Sequence, residues 1–237
     1  MRLNKFLAHS GVGSRRACDE LVFQGRVMVN RVVVHEPGIA INPEEDRVFV
    51  DGKRVILKTR YTYIKLNKPA GYITSRKDPH NKQTVMNLIP NVLDVRPVGR
   101  LDSDTTGVLL LTDDGDLLFK LTHPRYGIEK KYDVYLKYPP QQGDPEKDLP
   151  KGIVLENGDR VTGEAYPQNN KKTHYTVILR EGKKREVKRI FSYFETRVAQ
   201  LHRFEFAGIL VDELPPGKWK KLTPQEITHL KTLTTQK

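Results

Sequence analysis

Apolar residues recur along this chain at two periods, and the switches between them mark out its elements. Leu3, Phe6 and Leu7 lie at helical spacing and predict a short first helix. Ser14 reads as the N-cap of a second helix running to about Gln24, with Ala17, Leu21 and Val22 turned inward and Gly25 stopping it. Strand-like runs follow at Val27–Val29, Val32–Val34 and Val48–Val50. Asn30-Arg31 and Asp51-Gly52 fall at the turns, the latter a strong hairpin signal. Residues 58–61 form a polar joint. Beyond it, strands are expected at 61–66, where Asn67-Lys68-Pro69-Ala70-Gly71 breaks the run, and at 132–136 and 175–179, each with alternate apolar residues facing a core. Helices are expected at 116–121 and 185–194, and Thr223-Pro224-Gln225-Glu226 is a capping box opening a last helix. The stretch 138–152, rich in Pro, Gly and Lys, reads as an excursion between sheet elements. Strands outnumber helices without alternating with them, so the fold class is α+β. A small N-terminal module (1–59) is followed by a larger domain (61–237) built on a mixed, mostly antiparallel sheet.

The apolar runs 95–98 and 108–111 flank a polar loop, Gly99-Arg100-Leu101-Asp102-Ser103-Asp104-Thr105-Thr106-Gly107. A loop mounted between two buried strands is a setting in which a carboxylate can do chemistry. On the loop alone, Asp102 and Asp104 would equally serve as turn formers.

Composition narrows the choice. The net charge of +12 attracts polyanions, nucleic acid first among them. Cys18, the only cysteine, excludes an internal disulfide and is expected half-buried in its helix; it fits a reducing cytoplasm. No run approaches a membrane span, and the first twenty residues carry polar groups throughout, so no secretory signal is read. There is no phosphate-binding Gly-Lys-Ser/Thr loop, Gly11-Val12-Gly13 lacks the strand that a dinucleotide fingerprint needs, and the seven histidines are scattered. Asp113-Asp114-Gly115-Asp116 lacks the closing glutamate of a calcium loop and reads as a turn with a helix cap.

Arg2-Leu3-Asn4-Lys5-Phe6-Leu7, Ser14-Arg15-Arg16-Ala17 and Gly25-Arg26-Val27-Met28-Val29-Asn30 resemble the RNA-binding module first seen in ribosomal protein S-four. Arg31 departs from the glycine usual at its place. That resemblance implies phosphate contacts from Lys5, Ser14, Arg15, Arg16 and Arg26. Further on, Leu66-Asn67-Lys68-Pro69-Ala70-Gly71-Tyr72, Gly99-Arg100-Leu101-Asp102, Glu129-Lys130-Lys131-Tyr132 and the stretch from Glu181 to Phe191 come in the order found in ribosomal RNA pseudouridine synthases carrying such a module. The resemblance covers essentially the whole chain. It implies that Asp102 is the catalytic aspartate and that Tyr132 stacks on the flipped uracil and assists proton removal from carbon 5. Lys188 would be the basic partner of Asp102. Arg100 would hold the RNA open around the extruded nucleotide, and Arg185, beside Lys188, would contact RNA. Asp104 would brace the loop.

Each residue also has a plainer role: Tyr132 as a core tyrosine, Lys184, Arg185, Lys188 and Arg189 as a solvated helix face, and Arg100 as a surface ion-pair residue. Val187, Ile190, Phe191 and Phe194 should pack inward. Glu186 and Ile190 stand where the family commonly has glutamine and methionine. Uridine isomerisation needs no redox step and no group donor, so no cofactor and no metal is expected. The expected partner is ribosomal RNA, free or in pre-ribosomal particles, with the chain acting as a cytoplasmic monomer away from membranes. The opening pattern favours large-subunit over small-subunit RNA. A non-catalytic RNA-binding or ribosome-assembly protein is the alternative, and a DNA-binding protein would leave the second domain unexplained.

Overall fold

The computed structural model describes residues 1–76, 82–90 and 93–235 and divides into two compact units, Met1–Tyr61 and Thr62–Lys237. In the first unit, α1 (Leu3–His9) and α2 (Arg15–Phe23) share a core with β1 (Val27–Val29), β2 (Val32–Val34), β3 (Val48–Val50) and β4 (Lys53–Val55). These strands form an antiparallel sheet in the order β2-β1-β3-β4. Ser14 Oγ accepts the Ala17 N–H at 3.1 Å and caps α2. The inward stripe of α2 differs from the expected one. Cys18 and Val22 are fully buried and Ala17 is exposed, so Cys18 packs as a core residue rather than a half-buried one.

The second unit contains β5 (Tyr63–Lys68), β6 (Arg96–Pro97), β7 (Thr106–Thr112), α3 (Gly115–Thr122), β8 (Lys130–Leu136), α4 (Pro145–Asp148), β9 (Ile153–Val154) and β10 (Arg160–Val161). It continues with β11 (Glu164–Pro167), β12 (His174–Leu179), α5 (Glu186–Tyr193), β13 (Val198–Phe206), β14 (Ile209–Leu210), β15 (Trp219–Lys221) and α6 (Pro224–Leu233). The main sheet runs β11-β12-β8-β13-β7-β5-β15, with β6 on β7 and β14 on β13. Its pairs are antiparallel except β13 with β7, which is parallel. The helix α5 lays Val187, Ile190 and Phe191 into the core, with Phe194 just beyond its end, alongside Tyr132, Val134, Tyr175, Val177 and Leu179 of the sheet. Each such side chain contributes about 1.5–3 kcal/mol when fully buried, enough in sum to fix the helix in place. No helix among the described residues is long and apolar enough to cross a membrane.

Two elements differ from the sequence reading, and two expected caps are present. The strand β5 does not break at Asn67 but runs on through Lys68, burying Lys65, Asn67 and Lys68. Polar residues tolerate this because their heads are satisfied. Lys65 Nζ donates to Glu226 at 2.8 Å and to Asp212, and Asn67 Nδ2 donates to the Leu214 carbonyl at 2.7 Å. The excursion at 138–152 holds the short helix α4, started by Pro145 with Asp144 as its cap. Asp114 caps α3 by accepting the Leu117 N–H at 3.0 Å. The capping box at Thr223 is complete.

Candidate active site

The loop 101–105 is held by the last residue of β5 and the segment that follows it. Thr74 Oγ1 donates to the Leu101 carbonyl at 2.8 Å and accepts the Leu101 N–H at 3.2 Å. Lys68 Nζ, wholly buried, donates to the carbonyls of Pro69 (3.0 Å), Ser103 (3.2 Å) and Thr105 (2.8 Å). The Gly71 N–H donates to Ser103 O at 2.8 Å, and the Thr105 N–H turns back to Asp102 O at 3.1 Å. A lysine normally seeks a carboxylate. Here it gathers three carbonyls, and burial pushes its pKa down to about 8, against the pull of Asp104 and Asp102.

Lys188, from the exposed side of the α5 stripe, reaches both loop carboxylates. Its Nζ lies 2.5 Å from Asp104 Oδ1 and 3.5 Å from Asp102 Oδ2. The lysine side chain is only 14% exposed, Asp102 36% and Asp104 66%. The tighter contact is thus with Asp104, whose carboxyl the Lys188 hydrogen bond holds below its ordinary range. Asp104 anchors the ammonium, and Asp102 stands next to it with its other oxygen uncommitted to Lys188.

Asp102, Lys188, Arg100, Arg185, Tyr132 and Arg203 line one cleft of about 400 Å³. Arg100 and Arg185 are exposed on its rim, Arg185 in a left-handed conformation (φ 52°) at the start of α5. Tyr132 is buried (8% exposed) in the floor. Burial pushes its phenol pKa up, Arg203 pulls it back, and Glu186 and Asp102 add to the rise. Arg203 is 2% exposed; its Nε donates to the Val108 carbonyl at 3.0 Å and its guanidinium lies 4.7 Å from the Phe206 ring centre. Burial, with Arg203 nearby, brings Lys130 down to about 8. Glu186 is buried too, its carboxyl pushed up by desolvation while it accepts the Lys183 N–H at 3.2 Å. The departure from glutamine therefore places a buried carboxyl in the wall of the cleft.

The remaining expected RNA contacts lie in the first unit. Arg15 and Arg16 are exposed on the first turn of α2, which holds no acidic residue. Cations there oppose the helix dipole, so folding alone gives no reason for them. Lys5 is half-buried on α1, and Ser14 spends its oxygen on the cap. Arg26 is engaged by Asp51 in a two-pronged surface pair at 2.9 and 2.6 Å, which ties it to the β3–β4 turn and makes it a structural partner before any contact with phosphate. Lys68, Thr74, Lys130 and Arg203 were not singled out in the sequence. Lys68 and Lys130 lay inside stretches that carried the resemblance, whereas Arg203 had no signal.

The family model for RNA pseudouridylate synthases matches residues 62–193, and that for the S4 domain matches residues 1–48. An uncharacterized RNA pseudouridine synthase of Aquifex aeolicus is 40% identical over 97% of this chain and 93% of its own length. Ribosomal large subunit pseudouridine synthase B of Bacillus subtilis is 37% identical over 98% and 96%, and ribosomal small subunit pseudouridine synthase A of Escherichia coli K12 is 35% identical over 97% and 100%. A crystal structure of a pseudouridylate synthase superposes with a TM-score of 0.70 at 28% identity, covering 97% of this chain and 99% of the other. The chain belongs to the RNA pseudouridine synthase family, with an S4 domain at its N-terminus.

Proposed function

We propose that this enzyme isomerises a uridine of ribosomal RNA, with Asp102 carrying the covalent step. The observation behind this reading is one carboxylate on a loop clamped by Thr74, Lys68 and Gly71, with Lys188 3.5 Å away and the cleft floored by Tyr132. In the reaction the bond from uracil N1 to ribose C1′ breaks, the base turns, and C5 bonds to C1′. One proton leaves C5 and one is gained at N1, so the balance needs no oxidant and no donor. Tyr132 stacks on the base and takes part in the C5 proton transfer. Arg100 and Arg185 on the rim hold the RNA opened around the extruded nucleotide, whose unstacking costs a few kcal/mol. Lys188 keeps Asp102 beside a cation. The S4 domain, through Arg15 and Arg16 with Lys5 and Ser14, grips structured RNA by its phosphates; Arg26 joins them only by sharing its guanidinium with Asp51.

Relatives named for both ribosomal subunits align at 37% and 35% identity, and the N-terminal pattern makes large-subunit RNA the first substrate to test. Large- and small-subunit transcripts labelled with tritium at uracil C5 would be incubated with wild type and Asp102→Asn, with binding followed by gel shift. Tritium release by wild type and none by the variant, at affinities within about twofold, is the expected result. Turnover by Asp102→Asn would remove Asp102 from its role. Binding without release by wild type would favour a non-catalytic RNA-binding protein.

A further inference from the structure

We propose that Arg203 is the positioning residue of the cleft floor, holding the Tyr132 hydroxyl toward the bound base for proton transfer at C5. This rests on the reading of the cleft given above.

Arg203 and Tyr132 are register partners on the antiparallel pair β13–β8, so their side chains leave the sheet on the same face, side by side. Arg203 is buried to 2% exposure, and among the described residues no carboxylate pairs with it. A buried guanidinium without a counter-ion is costly, and a purely structural position would avoid that by carrying an apolar residue. Its placement is tightly fixed. Nε is bound to Val108 O at 3.0 Å, the plane lies over Phe206, and Nη2 has no protein partner. On the other side β13 meets β7 at Gly107, where an added Cβ would stand 2.1 Å from the Arg203 carbonyl oxygen. The backbone of Arg203 therefore cannot slide away from Tyr132.

The groups acting on the phenol come from several elements. Glu186 of α5 and Asp102 of the loop favour its protonated form, and burial does the same. Arg203 is the opposing influence, and Lys130, on the same strand as Tyr132, couples to Arg203 and Glu186. A phenol buried against two carboxylates with no cation would be a poor proton acceptor. The guanidinium opposes that rise by its charge and a hydrogen bond to the phenol, whose pKa still stays above its ordinary value.

Arg203→Met and Arg203→Lys would be compared with wild type in single-turnover rates against pH, in RNA affinity, and in the 13Cζ resonance of Tyr132, assigned through Tyr132→Phe in tyrosine-labelled protein. Arg203→Met should lower the rate constant about 100-fold with RNA affinity and KM nearly unchanged. The Tyr132 ionisation should move to higher pH in both the rate profile and the spectrum. Arg203→Lys should recover part of the rate and most of the ionisation. An unchanged rate and unmoved resonance in Arg203→Met would overturn the proposal, as would a loss confined to KM. If Arg203→Met does not fold, Arg203→Lys decides: a lower rate at constant KM with the Tyr132 ionisation slightly above that of wild type supports the assignment, and a wild-type rate and ionisation overturn it. A wild type that forms no pseudouridine would defeat the reading of the cleft instead, and the resonance comparison would still test the Arg203–Tyr132 contact.

Discussion

Lys68→Met separates holding the active-site loop from holding the fold. The methionine keeps the stem of the side chain and deletes the ammonium. Ser103 O keeps its bond from the Gly71 N–H at 2.8 Å, while the Pro69 and Thr105 carbonyls lose their 3.0 and 2.8 Å bonds from Nζ. An orphaned buried acceptor costs about 1–3 kcal/mol, so two cost about 4 kcal/mol. Against this stands the relief of a buried charge. A lysine held at about 8 instead of 10.5 carries a penalty of about 3 kcal/mol in its charged form, by the conversion of about 1.4 kcal/mol per pH unit. The two nearly cancel, and at pH 7 the variant should lose about 1 kcal/mol, read as a small fall in Tm. The rate should suffer far more, because releasing residues 103–105 by about an ångström misplaces Asp102 and costs on the order of 100-fold.

The pH dependence gives an independent reading of the same group. Below pH 8 native and unfolded chains both carry the Lys68 proton, and the penalty is present in full. Between pH 8 and 10.5 the unfolded chain holds a proton that the native chain has shed, so this group makes stability rise with pH; above 10.5 the penalty is gone. Melts of wild type and variant from pH 7 to 10.5 should therefore diverge, the wild type gaining stability relative to Lys68→Met. Wild-type kcat in the variant, or a difference in stability independent of pH over that range, would refute the argument.

Gly107→Ala should destabilise the protein by about 3 kcal/mol or leave it insoluble, since its Cβ would meet the Arg203 carbonyl at 2.1 Å with φ at +109°; a melt within a degree of wild type would contradict this. Lys188→Met should remove the influence holding the Asp104 carboxyl low. A depressed carboxyl stabilises above its unfolded pKa and loses that contribution as pH falls, so the variant should lose roughly 0.5 kcal/mol at pH 7 and nothing near pH 2, as followed by urea melts. Arg15→Gln and Arg16→Gln should each reduce the slope of log affinity for structured RNA against log salt by about 0.7–0.9, measured by filter binding from low to moderate salt.

The first unit was legible because its punctuation is local: a serine cap, a glycine stop and three valine runs fall where the helices and strands fall. In the second, β8, β12 and α5 followed from period, β7 from its continuous apolar run and α6 from its capping box. The strand β13 did not. Its ladder with β8 slips between Val198 and Gln200 and again between Arg203 and Glu205, so buried Leu201, Arg203 and Phe206 share no single period, and one of them is charged. Buried polar residues hid the end of β5 for a related reason: alternation analysis counts polar residues as outward, and Asn67 and Lys68 are buried. In the cleft, Asp102, Tyr132 and Lys188 were placed by motif order, and the structure brings them into one cavity. The groups that hold them are tied together by backbone carbonyls and strand register, which leave no mark on residue type.

The position of β13 has a consequence for how the chain matures as it is synthesised. Without it the sheet is two separate pieces, β15-β5-β7 with β6 laid on β7, and β8-β12-β11, whose apolar strand β8 is left with an unpaired edge. Residues 198–206 are synthesised after β5 to β12 and α5, and until they are, β8 is an open edge of the kind that pairs with neighbouring chains. The strand that closes this edge also carries Arg203. Joining of the two pieces and assembly of the cleft floor are thus one event, and a nascent chain stalled before Val198 should be both inactive and dependent on chaperones that shield strand edges.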